Sequence, residues 1–192
     1  MTEKTTRQIT DAETLKAVTH PLRGKLLGTL RVIGPATASE LARRFGESSG
    51  STSYHLRVLA KYGFIEEDPQ QPNARDRRWR AIHWGTAWKT SQMRRTTAGA
   101  EAASAMGRMQ LNFIMAAQQR FEADIDSWGP VWQDAAGTSD NVVRLRARTL
   151  AELIERINDL VNEYAERDSD AKGTELVQMF FGGFPLDESQ ID

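Results

Sequence analysis

The residues best suited to chemistry in this chain lie between positions 48 and 62 and carry hydroxyl groups, positive charge or almost no side chain. Hydroxyl, guanidinium and ammonium groups donate hydrogen bonds to phosphates and to base edges. Five of these residues follow the spacing i, i+3, i+4, i+7, i+11, which places them on one face of an α-helix. They are Gly50, Ser53, Tyr54, Arg57 and Lys61, with Ser48 and Ser49 just before them. The pattern predicts a helix face that contacts nucleic acid.

A helix with such a face needs a neighbour to hold it, and the preceding segment predicts one. Thr37 and Glu40 stand three residues apart, the spacing of a capping box at a helix start. An apolar stripe follows at i, i+3, i+4, i+7, made of Ala38, Leu41, Ala42 and Phe45. Gly46 suits the position just past a helix end. These signals predict a short first helix that ends at Gly46.

The second helix begins at Ser48 or Ser49, because serine is a favoured N-cap residue. Its inner face carries Thr52, Leu56 and Leu59, which we expect to pack on the first helix. Two short helices joined by a tight turn, the second with a polar outer face, describe a helix-turn-helix and its recognition helix. A short helical hairpin also occurs as ordinary core structure, so the hairpin alone does not decide between the two interpretations.

The segment after the two helices favours the helix-turn-helix. An extended run begins at Phe64, a stretch with Pro69, Pro72 and Asn73 breaks it, and a second extended run resumes at Trp79. This predicts a β-hairpin with a long tip, and the arginines of the hairpin are Arg75, Arg77, Arg78 and Arg80. A recognition helix followed by such a hairpin is a winged helix. Wing arginines lie along phosphates or enter the minor groove.

Residues 14–82 resemble the DNA-binding domain of the ArsR-type winged-helix transcriptional regulators. The resemblance rests on LKAVTHPLRGKLLGTL at 15–30, ASELARRFG at 38–46 and SSGSTSYHLRVLAKYGFIEE at 48–67. It implies a homodimer that binds operator DNA and usually represses, with an affinity set by a bound effector. It also implies a recognition helix over roughly 48–62 and a wing over roughly 64–82.

Metal sensing, known in part of that family, is not expected here. The chain contains no cysteine, and soft metals need thiolates or clustered imidazoles. Its histidines are His20, His55 and His83, and we interpret the first two as structural because no second ligand keeps metal spacing with either. No metal and no cofactor are predicted.

Charge divides the chain into two halves of opposite sign. Residues 1–82 hold 14 Lys and Arg against 9 Asp and Glu, and residues 83–192 hold 11 against 17. Attraction to phosphates explains a basic first half. No apolar run is long enough for a membrane span, and the polar N-terminus has no signal-peptide pattern, so we expect a cytoplasmic protein that does not bind membranes.

The second half predicts helices and a small sheet. Residues 86–128 are interpreted as one long helix with apolar residues at helical spacing. A second helix is predicted from a capping box at Thr149 and Glu152, with strands at 142–147 and within 175–186. The expected fold class is mainly α with small β. A winged helix-turn-helix domain at 1–85 is followed by an α-helical dimerisation and effector domain with a short β-sheet at 86–192. This half more weakly resembles the carboxy-terminal extension of longer bacterial regulators of the same group.

Five side chains of the long helix are predicted to form a dimer interface: Met106, Met109, Phe113, Ala117 and Phe121. A soluble monomer rarely leaves such an apolar patch in water. The same region can line a pocket for a small apolar effector, because methionine adapts to varied ligands. Ordinary dimer packing is favoured over the pocket.

The sequence therefore predicts a DNA-binding transcriptional regulator, a homodimeric repressor of a double-stranded DNA operator. One alternative is a winged-helix protein-interaction module without specific DNA binding. An enzyme with an appended DNA-binding domain is a further alternative, but no nucleophile elbow, P-loop or dinucleotide fingerprint is present. We therefore expect no catalytic activity.

Overall fold

A computed structural model describes residues 5–71, 77–169, 171–187 and 189 of the chain. The fold class is confirmed, since the structure is mainly helical with a few short strands. The elements in chain order are β1 Thr6–Ile9, α1 Ala12–Val18, α2 Pro21–Ile33, β2 Ala36–Thr37, α3 Ala38–Phe45, α4 Ser49–Lys61, β3 Ile65–Glu67, β4 Arg78–Ala81, β5 Gly85–Trp88, α5 Thr90–Met93, α6 Thr97–Ala123, α7 Pro130–Ala135 and α8 Ala147–Arg167, with one 3-10 turn at Ile125–Ser127. The chain forms two compact units, Met1–Phe113 and Ile114–Asp192.

The strands of the first unit make two small sheets. In one, β4 lies between β2 and β3 and pairs with both in antiparallel fashion. This is the predicted hairpin, extended by a strand that leads directly into α3. In the other, β1 and β5 pair in parallel, with Thr6 opposite Gly85 and Ile9 opposite Trp88. The second sheet was not predicted, because residues 86–96 were expected to be helical.

The core of the first unit fills the space between α1, α2, α3, α4 and the antiparallel sheet. Leu15, Leu26, Leu56 and Leu59 are completely shielded from solvent, and Phe64 is 1% exposed. Leucine and phenylalanine side chains buried to this degree each contribute about 1.5–3 kcal/mol relative to an exposed position. Helix α4, which carries the predicted outer face, is therefore anchored in the core of the first unit.

Arg31 ties α2 to the chain that follows β4. Its Nε donates to the carbonyl oxygen of His83 at 2.9 Å, and its Nη2 donates to Oγ1 of Thr86 at 2.7 Å. Burial lowers the pKa of Arg31 to about 10. The guanidinium stays charged at neutral pH, and its two hydrogen bonds connect the main helix of the core to β5.

The carboxy-terminal half, residues 86–192, differs from its predicted form in three places. No strand forms at 142–147 or within 175–186, since residues 142–146 and 175–186 adopt no regular structure and Ala147 begins α8. Helix α8 begins at Ala147 with Arg146 as N-cap and without a side-chain cap bond, so the capping box predicted at Thr149 does not form. The long helix begins at Thr97 and ends at Ala123, well inside the predicted 86–128. The residues whose alternation predicted strands have no neighbouring strand to pair with, and an isolated strand is not stable.

Candidate nucleic-acid interface

The first motif helix, α3, begins and ends as its residue types predict. The Thr37 hydroxyl accepts from the backbone N–H of Glu40 at 3.1 Å, and the Glu40 carboxylate accepts from the N–H of Thr37 at 2.7 Å. These hydrogen bonds hold the pKa of Glu40 below its usual value. Gly46 ends the helix with φ 66°, a left-handed conformation that favours glycine. The capping box and the glycine together fix where the turn to α4 begins.

Ser48 and not Ser49 caps the recognition helix. Its Oγ accepts from the backbone N–H of Ser51 at 3.1 Å, so that oxygen is already engaged in holding the helix start. Ser49 and Gly50 occupy the first turn of α4 and are exposed. The helix N-terminus is thus open to solvent, where its free N–H groups favour an anion.

The two faces of α4 differ in burial as the helical spacing predicts. Thr52, Leu56 and Leu59 are completely buried on the inner face. On the outer face Tyr54 is 61% exposed. Arg57 and Lys61 are exposed as well, and Ser53 is half-buried. Among the described residues nothing forms an ion pair or hydrogen bond with Arg57, so its guanidinium projects unpaired from the middle of the helix.

Two stacked histidines lie behind this face. The ring centroids of His20 and His55 are 4.4 Å apart. Nδ1 of His20 accepts from the N–H of Leu22 at 3.2 Å and so caps α2. Burial lowers the pKa of both histidines, and the positive charge of Arg23 lowers them further. Both rings are therefore neutral at pH 7, and they serve the packing of α2 against α4 as the structural interpretation predicts.

The described part of the wing is held together by ion pairs. Glu66 stands opposite Arg80 in the strand register, and its Oε1 accepts from Arg80 Nη2 at 2.6 Å and from Nε at 2.9 Å. Oε1 of Glu67 lies 3.2 Å from Nε of Arg77. Arg77 also lies over the ring of Trp79. Arg75 belongs to the tip, residues 72–76, which lies outside the described residues.

Arg78 contacts other residues of the domain. It donates to the carbonyl oxygen of Pro35, and its Nη1 lies 3.9 Å from Oε1 of Glu40. Its backbone N–H and carbonyl are both bonded to the side chain of Gln71. These contacts connect the wing to the start of α3, so Arg78 has less freedom to reach a phosphate than the sequence suggested.

Sequence reasoning missed two features of this surface. The acidic partners of the wing arginines went unnoticed, although counting the charges of both strands would have revealed them. Arg43 and Arg44 were also passed over, and both are exposed in the last turn of α3, immediately before Gly46. They add positive charge beside the start of the recognition helix.

Most of the side chains predicted for a dimer interface also pack against residues of the same chain, and the interface itself stays a prediction. Met106 is 5% exposed and belongs to the core of the first unit, and Met109 packs against that core. A Cβ on Gly24 would lie 3.1 Å from Sδ of Met109 and 3.5 Å from the ring of Phe113, so α6 lies close to α2 there. Ala117 and Phe121 are half-buried. The exposed large apolar residues of α6 are Leu111 and Met115, at 53% and 57%.

The described residues contain no cluster of three or more His, Asp or Glu side chains placed to hold a metal ion. None of their helices combines the length and apolar character that crossing a bilayer requires.

Comparison with known proteins agrees with the geometry of α2, α3 and α4. Residues 18–68 match the model of a family described as a helix-turn-helix domain. A search of curated proteins finds no match. The matched segment contains all of α2, α3, α4 and β3, and the strand β4 that completes the wing follows it. Residues 18–68 therefore form a helix-turn-helix domain, and pairing of β3 with β4 adds the wing. This supports a role as a DNA-binding regulator.

Proposed function

We propose that the protein is a sequence-specific transcriptional regulator, a homodimer that represses by binding a palindromic operator in the cytoplasm. A small apolar effector modulates this binding, and the protein has no catalytic role. Repression and effector control are what the ArsR-type resemblance of residues 14–82 implies. Specific DNA binding rests on the geometry of α4.

The observation that carries the proposal is the polarity of the recognition helix. Its inner face is fully buried at Thr52, Leu56 and Leu59, so the helix cannot rotate without opening the core. Its outer face then has a fixed direction and presents Tyr54 and Arg57 to solvent. A rigid helix with unpaired donors is what base recognition in the major groove requires.

A homodimer follows from the symmetry of such operators. Two copies related by a two-fold axis place their recognition helices about 34 Å apart, one turn of DNA. The apolar residues Leu111 and Met115 on α6 are exposed in the single chain, and a second copy covers them in this proposal. In this proposal the partner copy lies on the side of α6 away from Met106, because Leu111 and Met115 are on that side.

The second unit supplies an aromatic cluster that suits a small apolar effector. The ring centroids of Phe121 and Trp128 are 6.5 Å apart, and those of Trp128 and Trp132 are 6.2 Å apart. Gln133 fixes this turn, since its Nε2 donates to the carbonyl oxygen of Trp128 at 2.6 Å. Half-buried aromatic rings of this kind bind apolar molecules well.

A second candidate function is a winged-helix module that binds protein instead of specific DNA. The pairing of Arg77, Arg78 and Arg80 with carboxylates favours it, because it leaves the wing less positive than its arginine content suggests. The exposed basic face of α4 favours DNA over this alternative.

Selection of bound duplexes from a random library tests the proposal. We expect the full chain to enrich a palindrome whose half-sites are centred about 10 base pairs apart, and to bind it at least about a thousandfold more tightly than random duplex. Enrichment of no sequence, with measurable binding to a protein partner, would favour the interaction module.

A further inference from the structure

The wing contains as many acids as bases. Residues 64–82 hold four arginines, and they also hold Glu66, Glu67, Asp68 and Asp76. The recognition segment, residues 48–62, has Arg57 and Lys61 and no acidic residue. The two surfaces expected to meet DNA therefore differ in net charge.

Two acids of β3 hold Arg80 of β4 and Arg77, which directly precedes that strand. Glu66 contacts Arg80 through two hydrogen bonds of 2.9 and 2.6 Å, and Glu67 contacts Arg77 at 3.2 Å. All four side chains are partly open to solvent, with exposures between 43% and 57%. The pairs thus lie at the surface, where DNA phosphates would compete for the same arginines.

The pairs are weak enough to be exchanged. An exposed ion pair contributes about 0–1 kcal/mol, so a phosphate in the right place can replace the carboxylate. A carboxylate near the DNA also repels phosphates directly, and it does so on any sequence. Both effects reduce binding that depends on backbone charge alone.

Resting on the function proposed above, we infer that Glu66 and Glu67 are specificity-determining residues of the DNA-binding domain. By holding Arg80 and Arg77 within the hairpin, they keep the wing from adding sequence-independent affinity. Discrimination between operator and random DNA is then left to the outer face of α4. Repulsive elements aimed at the wrong partner are a common source of specificity.

The test uses the full chain and measures binding to a selected operator and to random duplex over a series of salt concentrations. The variants are Glu67→Gln, Glu66→Gln, Arg77→Gln and the double variant Glu67→Gln with Arg77→Gln. Glu101→Gln is the matched control, because it removes the carboxylate of a surface ion pair between α1 and α6, 3.8 Å from Lys16, without altering the wing. Thermal unfolding of each variant checks that the fold is intact.

We expect Glu67→Gln to tighten binding to random duplex by about threefold to tenfold, with a smaller gain on the operator. The log–log salt dependence should steepen by about 0.9 for each arginine that reaches a phosphate. Arg77→Gln in the Glu67→Gln background should remove the gain, whereas Arg77→Gln alone should change little. Glu66→Gln should act in the same direction through Arg80.

Several results would overturn the inference. If both glutamine variants bind random duplex with unchanged affinity and salt dependence, the acids do not limit the wing. If Arg77→Gln alone weakens binding to all DNA and flattens the salt dependence, the arginine already contacts phosphate and is not withheld. If the parent chain binds no duplex at all, the proposed function fails, which is a separate outcome from failure of the acids to set specificity.

Discussion

Among single residues, His20 and His55 give the clearest link between burial and stability. Their rings are 4.4 Å apart, and burial lowers the pKa of each below the usual value for histidine. Besides each other, the charged and titratable groups that influence them are Arg23 on α2 and Glu47 in the turn before α4. Arg23 opposes protonation and Glu47 partly favours it.

The lowered pKa values determine how the free energy of unfolding changes with pH. The unfolded chain takes up protons at about pH 6.5, whereas the folded chain resists them, so the two histidines stabilise the fold fully above that pH. Their contribution is lost progressively as the pH falls through 6.5 and then through the folded pKa values. We expect the free energy of unfolding in urea to drop between pH 7.5 and pH 5, and the drop to shrink in His55→Gln. An equal pH dependence in that variant would show that the histidine pair is not responsible.

At the scale of elements, the capping box of α3 determines where the helix-turn-helix begins. Thr37→Ala removes the acceptor of the Glu40 N–H and should lower the free energy of unfolding by about 1 kcal/mol. Thr149→Ala is the matched control, because Thr149 lies within α8 and forms no cap there. Equal losses in the two variants, measured by urea unfolding, would contradict the assignment of the cap.

Much of the helix-turn-helix was predictable from sequence because its signals are local. Thr37 with Glu40, Gly46 and Ser48 each act within four residues, and the inner and outer faces of α4 follow from helical spacing alone. The parallel pairing of β1 with β5 joins residues nearly eighty positions apart, and no local pattern encodes that. The ion pairs of the wing required the register of β3 against β4, which the sequence only implies.

In the second unit, local sequence patterns predicted a strand and a capping box that do not form. The alternation at 142–147 fits a strand only where a neighbour can pair with it, and in the described residues none does. Thr149 and Glu152 have the spacing of a capping box, but α8 already begins at Ala147. Helix propensity in the preceding residues therefore outweighed the cap signal.

At the scale of the whole molecule, the second unit contains much apolar surface and little core. None of its described residues is buried. Leu176 and Phe184 are 78% and 82% exposed, and Leu160 of α8 is 52% exposed. Apolar surface of this extent on a folded chain marks an interaction site, which is the physical reason to expect a partner copy.

The dimer can be tested on α6 without disturbing the core. Leu111→Glu and Met115→Glu alter exposed side chains, so they should leave the fold intact and shift the protein from dimer to monomer at micromolar concentration. Gln110→Glu is the control, since it adds the same charge at an exposed position about 100° around the helix from Leu111 and about 140° from Met115. Sedimentation velocity gives the answer directly, and dimers in both variants would place the interface elsewhere on the chain.

The central claim is that the outer face of α4 reads DNA sequence, and the most direct test compares one substitution on two DNAs. Arg57→Ala removes an exposed, unpaired guanidinium, so its effect reports on DNA contact and not on folding. At fixed salt we expect it to weaken binding to the selected operator by about 1–3 kcal/mol and to weaken binding to random duplex far less. Equal losses on both DNAs would mean that Arg57 contacts only the backbone, and would contradict the assignment of α4 as the recognition helix.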